Sequence, residues 1–511
     1  MFEHSSPSLP TSLPRGEREE NSTLAHWWER VPEGRERGVV AMKIFLLAGL
    51  LALTGCAVGP DYVKPDVTLA PLHNAEAVAS RAADKQEPSL DQWWQGFDDP
   101  QLTQIITRVL EQNLDIQASL ERVTQARATA QAAGAKRLPT VDASAQALRE
   151  KMSLENPLGI LALNTMPGFP QTSNLFDAGI GASWELDLFG GLKRQEEAAV
   201  AMADTAEAMH AGVRISVAAE AADTYFRIRG DQAQMKVIED RIANDTHLLE
   251  MLRERRVHGF ATDREVAQGE ALLAHTQGEG TLLRIELEAQ LNRLDVLMGA
   301  QPGTYAKELS APSAIPAVPK ITASPTADFL RRRPDVIAAE RELAAANARI
   351  GAAVAEYYPS VSLSGLLGYE SLTPAGLFHS STFQPQGLLG LRWRLFDFGR
   401  IDAEVAQADA ATREALLRYR QTILRAAEDV ENACVALVQQ ETYSQDVTRQ
   451  INALTQVYGD SETAYRFGMI ALTDVLDADR QLLSAQSELP RAQTDAARAA
   501  VRLFRALGGG W

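Results

Sequence analysis

A tandem repeat is the sequence feature that most constrains how this chain can fold. The segment Trp184–Gly190 (WELDLFG) recurs as Trp393–Gly399 (WRLFDFG), so a shift of 209 positions aligns Trp, Leu, Phe and Gly residues of the two copies. The same shift aligns Gly299 with Gly508, so one register holds for more than a hundred residues. A constant register of this length indicates two similar structural units within one elongated body.

The composition excludes several classes of function. The 511-residue chain has a formal net charge of −17 at pH 7, and its Lys and Arg residues form no basic run. Phosphate binding requires a basic surface, so we expect no nucleic-acid partner. The sequence has no His-Glu-x-x-His motif, no Gly-x-Ser-x-Gly nucleophile motif and no phosphate-binding loop, so we predict that the protein is not an enzyme.

The two cysteines lack the spacing of a metal or redox site. Cys434 lies in a helical stretch rich in Ala and Val, which predicts a buried and unreactive thiol. We therefore predict neither a metal site nor a cofactor, apart from a covalent lipid on Cys56.

The lipid is predicted because Cys56 follows an export signal. Met42 and Lys43 precede a short apolar run, which ends in the lipobox Leu53–Cys56 (LTGC). This run is too short to span a bilayer and is typical of a secretory signal. Residues 42–55 are therefore predicted to be a lipoprotein signal peptide, and the mature chain is predicted to begin at an acylated Cys56.

Two further expectations concern the residues around this signal. Ala57 stands where an inner-membrane lipoprotein would commonly carry Asp, so we expect an outer membrane lipoprotein. Residues 1–41 are polar and unlike an export signal, and we expect them to be a non-native upstream extension.

Four segments have the alternation of apolar and polar residues that is typical of strands. An ordinary β-sandwich would show the same alternation, but strands of about ten residues with a Trp near one end suit a membrane barrel. Four strands cannot close a barrel, so several chains must share one. The four predicted strands are residues 139–148, 177–188, 359–370 and 386–397.

Long helices are predicted where proline is absent. A helix from Leu192 to Val257 would be roughly 100 Å long, and reversals at Gly259 and Gly468 would turn each run into a helical hairpin. A shorter helix is predicted from Pro100 towards Pro139, with a break near Asn113. Pro490 lies in the last long run, and its missing N–H predicts a bend or break there.

The order of these segments gives the predicted domain organisation. It comprises a lipidated arm (56–91), a first repeat (92–300), a proline-rich linker in the equatorial region (301–328) and a second repeat (329–511).

Several motifs together resemble the TolC-like outer membrane efflux factors, and among them the NodT-type lipoprotein subgroup that serves resistance-nodulation-division (RND) pumps. The resemblance covers nearly all of the mature chain. The motifs that carry it are Cys56–Tyr62, Trp93-Trp94 with Asp99-Pro100, Trp184–Gly190, Arg332–Val336, Ala345–Gly351, Tyr358-Pro359 and Ala506–Trp511.

This resemblance implies an α+β membrane protein that forms a homotrimer. Twelve strands would form an outer membrane β-barrel, and twelve helices would form a periplasmic α-helical tunnel. The implied function is a passive, gated duct of a tripartite efflux pump that exports drugs, toxic compounds or metal ions. The implied partners are a periplasmic membrane-fusion adaptor, an RND inner membrane transporter and outer membrane lipid. A duct for type I protein secretion and a non-membrane coiled-coil scaffold remain alternatives.

The resemblance also assigns roles at the hairpin tips. Gly259 and Gly468 mark the tips that would contact the adaptor, and Tyr465 matches an aromatic constriction residue. Asp474 and Asp477 are three residues apart on one helix face, where the family's narrow periplasmic end would carry two carboxylate rings. The alternative is a pair of solvated helix carboxylates. Ile470 replaces the polar residue that relatives often have, so we expect closure to depend on packing around Tyr465 and Ile470.

Overall fold

The computed structural model describes residues 57–66, 71–74, 90–155, 160, 170–311, 314–319 and 332–510. Cys56, the predicted signal peptide 42–55 and the predicted extension 1–41 lie outside the described residues. In the described part, seven helices are α1 (Pro100–Gln112), α2 (Leu114–Ala135), α3 (Gly191–Val257), α4 (Asp263–Leu297), α5 (Pro334–Ala355), α6 (Arg400–Arg466) and α7 (Leu472–Ala506). The four strands are β1 (Thr140–Lys151), β2 (Thr172–Leu186), β3 (Ser360–Ser371) and β4 (Phe383–Arg392).

Three pairs of helices, with one member from each half, have equal lengths. Both α3 and α6 have 67 residues, α4 and α7 have 35 residues each, and α2 and α5 have 22 residues each. β1 and β3 also agree, with 12 residues each. The long helices predicted from the absence of proline are therefore present, and the predicted break near Asn113 separates α1 from α2. There the Asn113 side chain caps α2 by accepting from the Asp115 and Ile116 N–H groups.

The strands form one antiparallel sheet in the order β1-β2-β3-β4. Cross-strand partners lie on the same face of a sheet, and the register places Val141, Ile180, Leu367 and Leu389 on one face. All four side chains are exposed in the single chain. An exposed apolar face of this kind is typical of strands that face lipid.

The predicted end of the fourth strand is wrong. β4 ends at Arg392, so Trp393 and Leu395 lie beyond the strand. Arg392 pairs with Ser360, the first residue of β3, so no partner residue remains for a longer ladder. The Trp393 indole instead donates to the Tyr357 carbonyl, over 3.0 Å. In the first half, the Trp184 indole donates in the same way to the Arg137 carbonyl, over 2.8 Å.

An aromatic core joins the segment before α1 to the last helix. Trp93 stacks on Phe504, with ring centroids 5.3 Å apart, and Phe97 lies 4.8 Å from Phe226. Phe504 lies near the end of α7, whereas Trp93 lies in a short 3-10 segment before α1. This core therefore fixes the segment before α1 against the last helix.

The predicted break at Pro490 does not occur, because α7 continues from Leu472 to Ala506. Proline in a helix removes one hydrogen bond. Pro490 is buried, and the Thr494 hydroxyl donates to its carbonyl over 2.7 Å. Buried alanine and leucine residues on both sides of Pro490 keep α7 packed, which offsets the missing bond.

None of the described helices combines the length and the apolar character that crossing a bilayer requires.

Gly230 marks the closest approach between α3 and α7. A Cβ atom built at Gly230 would lie 2.2 Å from the Thr494 hydroxyl oxygen. We expect Gly230→Ala to lower the free energy of unfolding by about 1–3 kcal/mol, because the added methyl forces the helices apart. Thermal unfolding followed by helical circular dichroism measures this change.

Gly278 provides a matched control in α4, because nothing lies within 4 Å of a Cβ built there. Gly278→Ala should raise stability by about 0.5–1 kcal/mol through helix propensity. Equal effects of the two substitutions would show that helix propensity, not close packing, governs both positions.

Candidate functional site at the hairpin tips

Each half of the chain ends in a helical hairpin with a tight turn. We call residues 255–263 the first tip and residues 464–472 the second tip. Gly259 and Gly468 have φ values of 75° and 76°, in the left-handed region that favours glycine. In the first tip, Gly259 N–H donates to the Arg256 carbonyl and Phe260 N–H donates to the Arg255 carbonyl.

The second tip repeats this geometry. Gly468 N–H donates to the Tyr465 carbonyl, and Met469 N–H donates to the Ala464 carbonyl. This pair of bonds satisfies the last carbonyls of a helix and is known as a Schellman motif. No atom lies within 4 Å of a Cβ built at Gly259 or Gly468, so backbone conformation and not crowding requires glycine there.

Large apolar side chains are exposed at both tips. Val257 and Phe260 in the first tip, and Phe467 and Met469 in the second, are each more than two-thirds exposed. Exposed apolar groups gathered at the hairpin tips indicate a contact surface for a protein partner.

Tyr465 joins the two tips. The Arg255 guanidinium carbon lies 5.0 Å from the centre of the Tyr465 ring, which is within cation–π range. The Tyr465 hydroxyl has no hydrogen bond to the first tip in the described part of the chain. Sequence reasoning identified Tyr465 but missed Arg255, which lies 210 positions away. Ile470 is half-buried just beyond the second turn.

Asp474 and Asp477 are exposed on α7, whereas their neighbours Val475 and Ala478 are buried. Asp474 accepts from the Ala471 N–H over 3.1 Å and so caps the start of α7, whereas Ala471 has no side-chain acceptor to complete a capping box. Asp477 forms an ion pair with Arg480 over 2.6 Å. The role of these carboxylates as rings stays a prediction.

A buried polar cluster lies further from the tips, and sequence reasoning missed it. Asp245 is 2% exposed and accepts from the Thr276 hydroxyl over 2.7 Å. Arg241 lies 3.6 Å from Asp245, an ion pair longer than a hydrogen bond. Asp479 from the second hairpin belongs to the same cluster. Burial, and then the charge of Asp245, raise the pKa of Asp479 to about 6, although Arg241 opposes this shift.

The chain immediately after Cys56 is fixed where β2 meets α3. Val58 N–H donates to the Phe189 carbonyl over 3.0 Å, and a Cβ built at Gly190 would lie 2.6 Å from Ala57. Arg194 donates to the Val58 carbonyl and forms a 2.7 Å ion pair with Asp61. The first described residues after Cys56 are therefore held at the end of the sheet from which the helices extend.

No group of three or more His, Cys, Asp or Glu residues within the described ranges is arranged to hold a metal ion. Cys434 is buried, as predicted, and burial raises its pKa to about 11.

Comparisons with known proteins identify the relatives of this chain. The family model described as "Outer membrane efflux protein" matches residues 105–300 and 327–509. The pyoverdine export outer membrane protein OpmQ of Pseudomonas putida is 31% identical over 433 residues, covering 84% of this chain and 91% of that protein. Nodulation protein T of Rhizobium leguminosarum bv. trifolii is 28% identical over 466 residues, covering 90% of this chain and 96% of that protein.

A solved structure of the outer-membrane channel OprN is similar over 89% of this chain and 100% of that chain. Its TM-score is 0.80, and its sequence is 32% identical.

The buried cluster generates a pH-dependent prediction. The pKa of Asp479, about 6, lies above its ordinary value of 3.8, so the packed helices bind this proton more tightly than an unfolded chain does. Stability should therefore rise as the pH falls from about 6 to about 4, and the ionised carboxylate should destabilise the packed state at neutral pH. We expect Asp479→Asn to raise the melting temperature at pH 7.5 by on the order of 2 °C, with a smaller difference at pH 5.

Asp460→Asn is the control, because Asp460 is an exposed carboxylate on the neighbouring α6. An equal rise for Asp479→Asn at both pH values would show that the effect does not come from ionisation.

Proposed function

The chain belongs to the outer membrane efflux protein family, and from this premise we propose a mechanism for the gated duct that it forms. As a member of this family, it is the outer membrane channel component of an efflux pump and not an enzyme. The observation that carries the mechanism is the contact of Arg255 with Tyr465, because it joins the tips of the two hairpins.

We propose that three copies share one barrel. The described sheet pairs β1 only with β2 and β4 only with β3, so each chain offers two outer edges. An open sheet edge is not viable in lipid, so these edges must pair with other copies. Three chains would supply twelve strands. The helices all join the sheet at one end, so they would continue the barrel as a tunnel into the periplasm.

The helical tunnel would reach towards the inner membrane. Each 67-residue helix is roughly 100 Å long at 1.5 Å per residue. The exposed apolar groups of both tips would then meet a periplasmic adaptor, and an RND transporter would deliver the exported compound. The names of similar proteins favour small-molecule export, since OpmQ exports pyoverdine and TtgI belongs to a toluene efflux pump.

The gate in this proposal is closed by weak contacts between tips. A cation–π contact at an exposed site contributes about 0.5–1 kcal/mol, so a partner that binds the tips can readily outweigh it. Ile470 adds a half-buried apolar side chain to the second tip, and that side chain offers no hydrogen bond. Asp474 and Asp477 would line the constriction and set a preference for cations.

We further propose that Cys56 carries the lipid anchor. The contacts of Ala57 and Val58 hold the chain at the end of the sheet, where the proposed barrel leaves the membrane. A lipid on Cys56 would therefore reach the inner leaflet of the outer membrane without stretching the chain.

Planar bilayer recordings test the gate. The resting protein should show low conductance, and Arg255→Ala or Tyr465→Ala should raise it severalfold because the contact between the tips is lost. Tyr465→Phe should keep the low conductance, because the ring face that attracts the guanidinium remains.

Arg253→Ala is the matched control, because Arg253 lies on the same helix but pairs with Glu270 in its own hairpin. A protein without any channel activity would overturn the proposed function. Unchanged conductance in Arg255→Ala would overturn only this gate. In the same recordings, Asp474→Ala with Asp477→Ala should reduce cation selectivity if the carboxylates line the constriction.

Mass spectrometry of the mature protein tests the anchor. We expect the N-terminal peptide to begin at Cys56 and to carry acyl chains, and Cys56→Ser should abolish the modification. An unmodified peptide that continues through Cys56 would disprove the lipoprotein assignment. The lipid is expected to assist anchoring, while the barrel supplies most of the attachment.

A further inference from the structure

The contact between the two halves of the chain is a template for a contact between copies. Within the chain, the first half meets the second where β2 pairs with β3 and α3 packs on α5. Phe189 stacks on Tyr358 there, with ring centroids 4.6 Å apart. Asp204 on α3 also forms a 3.7 Å ion pair with Arg341 on α5.

The reverse contact, from the second half to the first, is not made within the described chain. Its helices would be α6 and α2, which do not pack on each other as α3 and α5 do. Its strands would be β4 and β1, which form the two outer edges of the sheet. A duplicated unit that meets its neighbour in one way within the chain can meet a second copy in the same way.

The equal element lengths identify the residues of this second contact. Residues on α3 and in the segment after β2 map onto the second half by adding 209, as the spans of α3 and α6 show. Residues on α5 and before β3 map onto the first half by subtracting 220, as the spans of α2, α5, β1 and β3 show.

The stacked pair maps onto two exposed apolar residues. Phe189 corresponds to Phe398, which is fully exposed and held at a φ of 56°. Tyr358 corresponds to Leu138, which is 64% exposed. A positive φ is costly for an aromatic residue, and none of the described residues covers the Phe398 side chain to offset this cost.

The same correspondence pairs exposed leucines on α6 and α2 with buried residues on α3 and α5. Leu424 on α6 is 58% exposed, whereas its counterpart Ile215 on α3 is 5% exposed. Leu417 and Leu114 are likewise exposed where Ala208 and Pro334 are buried, and Pro334 lies 3.6 Å from a Cβ built at Gly212 of α3. Three large apolar residues therefore lie on the faces that the template covers.

Charge supplies an independent check. Asp204 corresponds to Arg413, and Arg341 corresponds to Glu121, so the ion pair maps onto another pair of opposite charges with the signs exchanged. Arg413 and Glu121 are both exposed, and neither has an ion-pair partner among the described residues. A random surface would be expected to preserve neither the apolar character nor the charge complementarity.

We propose that in the assembled protein Phe398 packs against Leu138 of the next copy and Arg413 pairs with Glu121 of that copy. This inference rests on the proposed ring of copies and identifies the residues that hold it together. The occupant is a second copy of this chain because the template surface is the chain's own first half.

Cysteine cross-linking in intact outer membranes tests the apolar contact. Phe398→Cys with Leu138→Cys should give, with a short bismaleimide, a ladder of linked chains, whereas either substitution alone should give none. Phe189→Cys with Tyr358→Cys is the matched control, and it should link only within one chain. Cys434 is buried and does not compete.

Charge exchange tests the ion pair without cysteine. Arg413→Glu and Glu121→Arg should each lower the temperature at which the assembly dissociates in mild detergent, and the two together should restore it. Arg418→Glu is the control, because its counterpart Met209 is exposed and so lies outside the template contact.

The outcomes separate the two proposals. A linked ladder together with charge rescue supports the inference. Assembled, conducting protein without a ladder or rescue would overturn the inference and leave the proposed function standing. A chain that stays monomeric and does not conduct would overturn both.

Discussion

The open edges of the four-stranded sheet are the constraint on which the rest of the structure depends. β1 and β4 each leave one row of backbone N–H and C=O groups unpaired in the described chain, and lipid offers no water to satisfy them. A chain with four strands must therefore share its barrel. The apolar face that carries Val141 and Leu389 has a role only when the sheet is closed and faces lipid. Assembly is thus a condition of a stable sheet.

Below the sheet, packing differs between the middle of the molecule and its ends. The large aromatic residues Trp93, Phe226 and Phe504 are concentrated in one core, whereas nearer the first tip α3 and α4 approach each other at a small residue, as Leu252 does against Gly269. Small residues permit close helix contact but bury little apolar area per residue. The hairpins are therefore held less strongly than the core, and contacts as weak as that between Arg255 and Tyr465 can determine whether their tips stay together.

Local signals explain which features could be predicted from the sequence. The absence of proline predicted the long helices, and glycine at positions 259 and 468 predicted the turns, because both depend on backbone preferences of neighbouring residues. The predicted end of β4 was wrong because the end of this strand depends on where β3 begins, which the residues of β4 do not encode. The predicted break at Pro490 was wrong because tertiary packing outweighed a local preference, whereas the predicted bend there stays a prediction. Arg255 and Asp479 were missed because their partners lie more than two hundred positions away.

The two halves share a backbone but differ in the side chains at their junctions, and covalent linkage explains the difference. Within the chain, the halves are tethered, so little entropy is lost when they meet and small residues such as Ala208 and Pro334 suffice. In the proposed contact between copies no tether exists, and association must offset the loss of translational and rotational freedom. The corresponding positions carry leucine, at 417 and 114, which would bury more apolar area there. Divergence between the repeats is thus what a duplicated chain requires when the same contact is made once within a molecule and once between molecules.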